Sequence, residues 1–270
     1  MRIPIWLHTI LPGPTVLIVG YGFVGKVIAQ SLLQDNFIIT TLDKDQSFDE
    51  FYAEDCAIVC VDTPTVDGFC DTTNVEDALA MLEKEMPGKP IMLKSTVPPE
   101  FVATLPDNVV YSPEFMRDGN AYHDFRHQPF MLLGSNNEKQ TKFWKKIFRY
   151  LETEFVEVTP EAASWAKYIH NAFLASKVTF FHELDRVADE MHIDSKLDKE
   201  HFLQAIGTVA AVDTQIGSSH LFAPNLDGVY GYGGMCFPKD MQAFQSWTHS
   251  PYIRQIIRHN EKLNGKRPKY

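Results

Sequence analysis

Cys236 stands in Gly231-Tyr232-Gly233-Gly234-Met235-Cys236-Phe237-Pro238-Lys239-Asp240, a thiol framed by glycines and followed by a lysine and an aspartate. Glycines let backbone approach a ligand closely, and Pro238 suits the first turn of a following helix. A thiol at a helix N-terminus has its thiolate stabilised, which turns a cysteine into a nucleophile. The alternative is a small apolar cysteine packed beside a turn; the residues around Cys236 favour covalent chemistry. Lys167 and Asn171 lie one helical turn apart in Ala166-Lys167-Tyr168-Ile169-His170-Asn171-Ala172-Phe173. A lysine and an amide converging on one point can stabilise an oxyanion, although taken alone Lys167 reads as an exposed helix lysine. Glu114 and Asp118, in Ser112-Pro113-Glu114-Phe115-Met116-Arg117-Asp118-Gly119, share a face if that stretch is helical. One could activate water or shuttle a proton while the other contacts a cofactor or substrate; alone, both read as solvated surface charge.

A second constellation lies near the N-terminus. The apolar run Thr15 to Val19 ends in Gly20-Tyr21-Gly22-Phe23-Val24-Gly25, and helical periodicity follows from Val24 to Leu33. Strand, glycine turn and helix in that order form a dinucleotide-binding fingerprint. The first two glycines let the turn and a pyrophosphate come close, and the third permits helix-on-strand packing. Asp43 ends a second strand over Phe37 to Leu42, where its carboxylate can accept hydrogen bonds from the adenosine ribose. A carboxylate there favours NAD over NADP, whose 2′-phosphate it would repel; neighbouring Lys44 works against that preference, and a turn-capping role for Asp43 is the alternative.

The elements that must position these residues alternate. Further strands are expected over Ala57 to Val61, ending at Asp62-Thr63-Pro64-Thr65, and over Pro90 to Leu93, ending at Lys94-Ser95-Thr96-Val97-Pro98. Others are expected over Val109 to Ser112, Pro129 to Leu133 and Glu154 to Val158, with helices over Val75 to Met86 and about Asn136 to Tyr150. This implies an α/β fold: a Rossmann-type, mostly parallel doubly wound sheet with ligands at the strand C-termini, occupying residues 1–158 behind an extra arm over 1–14. After Thr159 the pattern turns helical, giving an all-helical domain over 159–270. A long central helix runs from Pro160 to near Met191, then a shorter one lies around Lys199 to Ile206, and a loop spans Gly207 to Met235. Helices over Phe237 to Trp247 and Tyr252 to Leu263 and a frayed basic tail complete the chain.

With 270 residues, 44% hydrophobic and 22% charged, the composition is that of a soluble globular protein. A net charge of −10 argues against nucleic-acid binding, and no apolar run is long enough for a membrane span. Cys56, Cys60, Cys70 and Cys236 show no paired metal-ligand spacing, so no metal is expected. Reduced thiols in a cytoplasm follow, with Cys56 and Cys60 as core residues.

Taken together, Gly-x-Gly-x-x-Gly, Ser-Thr-Val-Pro, Pro-Glu-Phe, Lys-x-x-x-Asn-Ala-Phe and Gly-Gly-x-Cys-Phe-Pro-Lys-Asp, in that order from about Thr15 to Trp247, resemble the UDP-glucose/GDP-mannose dehydrogenase family. The resemblance implies oxidation of a nucleotide-sugar alcohol to a carboxylate with two NAD molecules, with UDP-glucose as the expected substrate and a homodimer built through the long helix. It implies that Cys236 captures the aldehyde as a thiohemiacetal that becomes a thioester, and that Glu114 promotes its hydrolysis. The same resemblance implies that Lys167, Asn171 and Asp240 stabilise oxyanions and position water, that Thr96 and Asp118 fall near cofactor and reacting centre, and that Lys239 contacts a cofactor phosphate. Cofactor contacts are expected from Gly20, Tyr21, Gly22, Phe23, Val24, Gly25, Asp43, Lys44, Thr63, Pro64, Ser95 and Thr96. Phe115, Met116, Tyr232, Gly233 and Gly234 join Glu114, Lys167 and Asn171 on the substrate. Three departures stand out. Only thirty residues follow Asp240, so a short form without the family's C-terminal nucleotide-binding domain is expected. Gln215 stands where the family commonly has an arginine, and Asp118 replaces a commoner glutamate. The loop from Ser218 to Tyr230 is expected to help cover the substrate.

Overall fold

The computed structural model describes residues 13–44, 54–190, 196–221, 225 and 228–265. The N-terminal arm, save Gly13 and Pro14, most of the 222–227 stretch and the basic tail therefore lie outside the described residues. Elements follow in the order β1 (Thr15–Val19), α1 (Phe23–Gln34), β2 (Ile38–Leu42), β3 (Cys56–Val59), β4 (Thr65–Val66), β5 (Phe69–Cys70), α2 (Thr73–Glu85), β6 (Ile91–Leu93), α3 (Pro99–Val102) and β7 (Val109–Tyr111). After these come α4 (Ala121–Arg126), β8 (Phe130–Gly134), α5 (Glu138–Ile147), β9 (Glu154–Val158), α6 (Pro160–Glu190), α7 (Lys196–Val212), α8 (Phe237–Thr248) and α9 (Pro251–Gly265).

Two compact units result, one made of Met1–Thr63 with Asp71–Lys167, the other of Pro64–Cys70 with Tyr168–Tyr270. The first is a Rossmann-type α/β unit. Its seven-stranded sheet has the order β2-β1-β3-β6-β7-β8-β9. The first five of these strands run parallel, and β8 turns antiparallel to β7 while pairing parallel with β9. Strands buried on both faces read as continuous apolar runs, and β3 (CAIV) and β6 (IML) are buried throughout. Alternate side chains leave opposite faces of a strand. Val16 and Ile18 therefore pack with α1 and the Trp144 and Phe148 rings on one side, and Leu17 and Val19 with Val75 and Leu82 of α2 on the other.

The second unit is helical apart from the β4–β5 hairpin, and α6 enters it at Tyr168, its first turns belonging to the first unit. Thr159 caps α6, its hydroxyl accepting the Ala162 N–H at 3.2 Å, and Pro160 opens the helix. No Gly or Pro interrupts the next 31 residues, so α6 runs about 46 Å. Its Tyr168 ring stacks on Phe244 of α8 at 5.9 Å and meets Trp247 at 5.6 Å, forming this unit's core.

Several features differ from the sequence reading, among them the short helices α3 and α4, which were not anticipated. Helix α7 continues through Gly207 to Val212, where a loop was expected to begin; a helix-interior glycine costs only about 1 kcal/mol against alanine, which the surrounding helix formers outweigh. The hairpin β4–β5 was not anticipated. Asp67 and Gly68 take φ of 52° and 85° between its strands, the left-handed pair that a two-residue hairpin turn requires. Thr65 donates its hydroxyl to the Lys239 carbonyl at 3.1 Å, fastening the hairpin to α8.

Candidate active site

In the first unit, the glycine turn behaves as its residue types demand. A Cβ on Gly25 would lie 2.1 Å from the Gly20 carbonyl oxygen, so only glycine lets α1 press on the turn. Gly20 itself has φ of 89° and donates to Leu42 O at 2.8 Å, which ties the turn to the end of β2. Nothing lies within 4 Å of a Cβ built on Gly22, and this residue caps α1 without a side-chain hydrogen bond. An open glycine at a helix N-terminus is a place where an anion is stabilised by N–H groups and the helix dipole. These features fit the pyrophosphate of NAD.

Around that turn, Phe23 is partly exposed at the start of α1 and Val24 packs into the core. Tyr21 lies beside Lys26, whose Nζ is 5.9 Å from the ring centre, and both line an open cleft with Gln30, Leu33 and Gln34. Asp43 and Lys44 are exposed just after β2, and Asp43 accepts the Lys44 N–H at 2.9 Å. The loops after β3 and β6 are stapled together: Thr63 donates to Thr96 O at 2.8 Å and Ser95 to Val61 O at 2.6 Å. We expect Gly25→Ala to lose about 1–3 kcal/mol in urea unfolding through overpacking. Gly22→Ala should leave unfolding unchanged and weaken only the NAD-dependent rise in Tm, and an undiminished rise would contradict this account of the turn.

A buried ion pair occupies the same unit. Lys167, 3% exposed and so unlike the solvated lysine that sequence statistics suggest, donates to Glu114 Oε1 at 3.0 Å and to the Glu114 carbonyl at 2.6 Å. The other carboxylate oxygen accepts the Met116 N–H at 2.7 Å. Burial pushes the Glu114 carboxyl up, but Lys167, the Met116 N–H and Lys94 outweigh it and hold its pKa below the usual 4.5. The Lys167 ammonium also lies 5.2 Å from the centre of the Phe115 ring, whose edge meets Phe130. Residues 112–117 form no helix, so Glu114 and Asp118 do not share a face: Glu114 turns inward, while Asp118 is exposed and accepts the Gly119 N–H.

In the second unit Cys236 occupies the N-cap of α8 and is exposed. Cys56 and Cys60 are buried as anticipated, and burial pushes the Cys60 thiol up to about 12. Pro238 falls in the first turn of α8, and the Asp240 N–H bonds the Cys236 carbonyl at 3.0 Å. The Asp240 carboxylate, 3% exposed, accepts Lys239 Nζ on one oxygen and Asn171 Nδ2 on the other, both at 2.6 Å. His170 Nδ1 lies 3.1 Å from Asn171 Oδ1, so that amide is held at both ends. Burial opposes the Lys239 ammonium, yet Asp240 and the nearby Cys70 and Cys236 sulfurs raise its pKa above the usual lysine value.

The loop that delivers Cys236 is anchored by residues that neither type nor spacing singled out. The Gly231 N–H donates to His182 Nδ1 at 2.7 Å, and Asn260 clasps the Tyr232 backbone, accepting its N–H at 2.7 Å and donating to its carbonyl at 3.1 Å. A Cβ on Gly231 would meet Asn260 Oδ1 at 2.3 Å, so glycine is needed there. Tyr232 is buried, which raises its hydroxyl pKa, whereas Gly233 and Gly234 are exposed. Among the described residues no group of His, Cys, Asp and Glu side chains is placed to hold a metal ion, and no helix is long and apolar enough to cross a membrane.

A glycine turn open over a helix N-terminus, at the end of an interior parallel strand, is the architecture of dinucleotide-binding folds. Comparison with known proteins agrees. Residues 46–152 match the NAD binding domain of the UDP-glucose/GDP-mannose dehydrogenase family, and residues 161–265 match its central domain. The chain belongs to that family. A putative UDP-glucose 6-dehydrogenase of Bacillus subtilis, YtcA, is 31% identical over 71% of this chain and 46% of its own. A UDP-glucose 6-dehydrogenase of Rickettsia bellii is 29% identical over 87% and 56%. The chain thus spans about half the length of the curated relatives it matches. Among solved structures, a UDP-glucose dehydrogenase from Pyrobaculum islandicum superposes with a TM-score of 0.76 at 22% identity, covering 98% of this chain and 70% of that one. A UDP-D-ManNAc dehydrogenase from Pyrococcus horikoshii gives 0.75 at 17%, covering 92% and 68%. At such identities these likenesses speak to the fold.

Proposed function

We propose that this chain carries out NAD-dependent four-electron oxidation of the 6-hydroxyl of a nucleotide sugar in the cytoplasm, converting UDP-glucose to UDP-glucuronate. The observation that carries the reading is the exposed Cys236 thiol at the N-terminus of α8, one turn from the buried Asp240 that locks Asn171. NAD, when bound at the glycine turn, accepts a hydride in each of the two oxidations.

This chain's residues would do the rest. After the first oxidation, the Cys236 thiolate adds to the aldehyde carbon and the carbonyl oxygen becomes an oxyanion, which Lys167 and Asn171 stabilise. The tether keeps the aldehyde from escaping or hydrating. Loss of the second hydride leaves a thioester on Cys236. Water then attacks the thioester carbon as Glu114 takes its proton, the C–S bond breaks, and the thiolate departs from the new carboxylate. Asp240 orients Asn171, Lys239 meets a cofactor phosphate, and Thr96 and Asp118 border cofactor and reacting centre. Asp43 and Lys44, the Gly20–Gly25 turn, and Thr63, Pro64 and Ser95 hold the cofactor. Phe115, Met116, Tyr232, Gly233 and Gly234 line the sugar.

Homodimerisation through α6 belongs to the same reading. Trp165, Ile169, Phe173 and Phe180 are exposed on that helix at spacings of four, four and seven, which aligns them on one face. The decisive measurement is NADH production across UDP- and GDP-sugars. Two equivalents per sugar consumed are expected; one equivalent with an aldehyde or ketone product would point instead to a two-electron hydroxy-acid or sugar-phosphate dehydrogenase. No NADH from any sugar would indicate an NAD-binding module without catalysis.

A further inference from the structure

Lys94 is a lysine almost without solvent. It follows β6 directly and is 3% exposed, and its Nζ donates to Ser112 Oγ at 3.2 Å, where Ser112 is fully buried. Its own N–H bonds Val59 O at 2.8 Å and the Ser112 N–H bonds Leu93 O at 2.9 Å, so both ends of the contact are fixed to the sheet. Burying an ammonium against a single hydroxyl is costly, and a hydrophobic side chain would fill the same place at less cost. Two residues beyond Ser112 stands Glu114, whose carboxylate is bound by Lys167 and coupled electrostatically to Lys94. The charges and thiol that act on Lys94 electrostatically are those of Cys60, Glu114 and Lys167. Burial, seconded by Lys167 and only partly offset by Cys60 and Glu114, brings the Lys94 pKa down to about 8.

In the reaction proposed above, Lys167 must serve an oxyanion as well as Glu114. When its ammonium turns to the reacting oxygen, Glu114 is left buried with the Met116 N–H, and desolvation then drives the carboxyl toward protonation. A protonated Glu114 cannot take a proton from water. We propose that Lys94 is a positioning residue for Glu114, a buried cation fixed by Ser112 that keeps this carboxylate charged while Lys167 is engaged elsewhere. The inference rests on the proposed reaction for its chemical consequence, but the Lys94–Glu114 coupling can be measured without turnover.

The test follows the Glu114 carboxyl by NMR in protein labelled with 13C at glutamate carboxyls, assigned with E114Q. In the wild type a second, smaller inflection is expected near pH 8 as Lys94 loses its proton. In K94M the main titration should rise by about one pH unit. In turnover, K94M should shift the acid limb of kcat upward by about the same amount with KM unchanged, and K94R should restore it. A purely structural lysine would move neither carboxyl titration nor pH limb. An unshifted Glu114 in K94M overturns the proposal, and should K94M not fold, a wild-type titration in which Glu114 shows no second inflection at any pH above neutral does so. If the carboxyl shifts as expected while no nucleotide sugar yields NADH, the proposed reaction fails and the electrostatic role of Lys94 stands.

Discussion

Replacing Cys236 with serine is expected to abolish net conversion of the sugar to its acid, lowering turnover by roughly 10⁴-fold or more, the scale on which removal of a catalytic nucleophile acts. The cause is chemical. A serine hydroxyl in the same place is mostly protonated at neutral pH, and an ester does not release its acyl group as a thioester does. Because Cys236 is exposed at the N-cap of α8 and outside every core cluster, urea unfolding of the variant should match the wild type within about 0.5 kcal/mol. NADH yield and intact mass after mixing with NAD and sugar provide the measurement, since the wild type should show a transient covalent adduct that C236S lacks. Cys56→Ser is the matched control: Cys56 is fully buried in the sheet core, so it should lower stability and leave NADH stoichiometry at two. A C236S protein that still delivers two equivalents would remove the nucleophile from the mechanism.

The second large effect is expected at Lys167. Lys167→Met removes the cation that donates to Glu114 twice, and breaking one partner of a buried pair typically costs about 3–5 kcal/mol because the other charge remains. Turnover should fall by about 10²–10³ through the lost oxyanion donor. The sign of the pH dependence separates these effects. In the wild type, Glu114 has a folded pKa below the usual 4.5, so its stabilisation is present above that value and is lost as pH falls through the folded pKa. In the variant, only the Met116 N–H and Lys94 remain to oppose burial, so the folded pKa should rise, and the penalty is present at neutral pH and is relieved as pH falls toward 4.5. The stability deficit of K167M should therefore shrink on acidification. Adding Glu114→Gln should recover most of the stability and none of the turnover. A deficit independent of pH, or a double variant no more stable than the single one, would mean that the pair is not the buried unit described.

The regular part of the fold was plain in the residues. β1 and β9 have the limits that their apolar runs suggest, and Thr159-Pro160 opens α6 where a cap followed by proline should. Local chemistry determines these features, so local reading reaches them. The hairpin at Asp67-Gly68 carried a turn signal in plain view, but its strands are two residues each and the apolar alternation that marks a strand cannot develop over so short a span. Gly207 misled because a glycine stops a helix only when the chain beyond it has no packing partner, and Ala210 is buried against Phe181 and Leu221.

Within the site, residue type and spacing pointed to Cys236, Lys167, Asn171 and Glu114 as candidates. They could not reveal that Lys167 is buried, that Asp118 faces solvent while Glu114 does not, or that Lys94 lies in the interior. Those are properties of tertiary enclosure, set by strands and helices distant in the chain. His182 and Asn260 belong to the same class: each is an ordinary helix residue until the Gly231–Tyr232 backbone arrives beside it.

One feature of the covalent path bears on how such a protein can be taken apart. The β4–β5 hairpin leaves the polypeptide between β3 and α2, yet it belongs to the helical unit and grips α8 through the Thr65 hydroxyl. A single cut therefore cannot separate the two units cleanly. Any contiguous fragment starting after the sheet would leave behind the strap on the helix bearing Cys236, and a chimera grafting a relative's C-terminal half onto this sheet would set a foreign helix against a native hairpin. Recombination between family members should succeed only when the segment from Pro64 to Cys70 travels with the helices it serves.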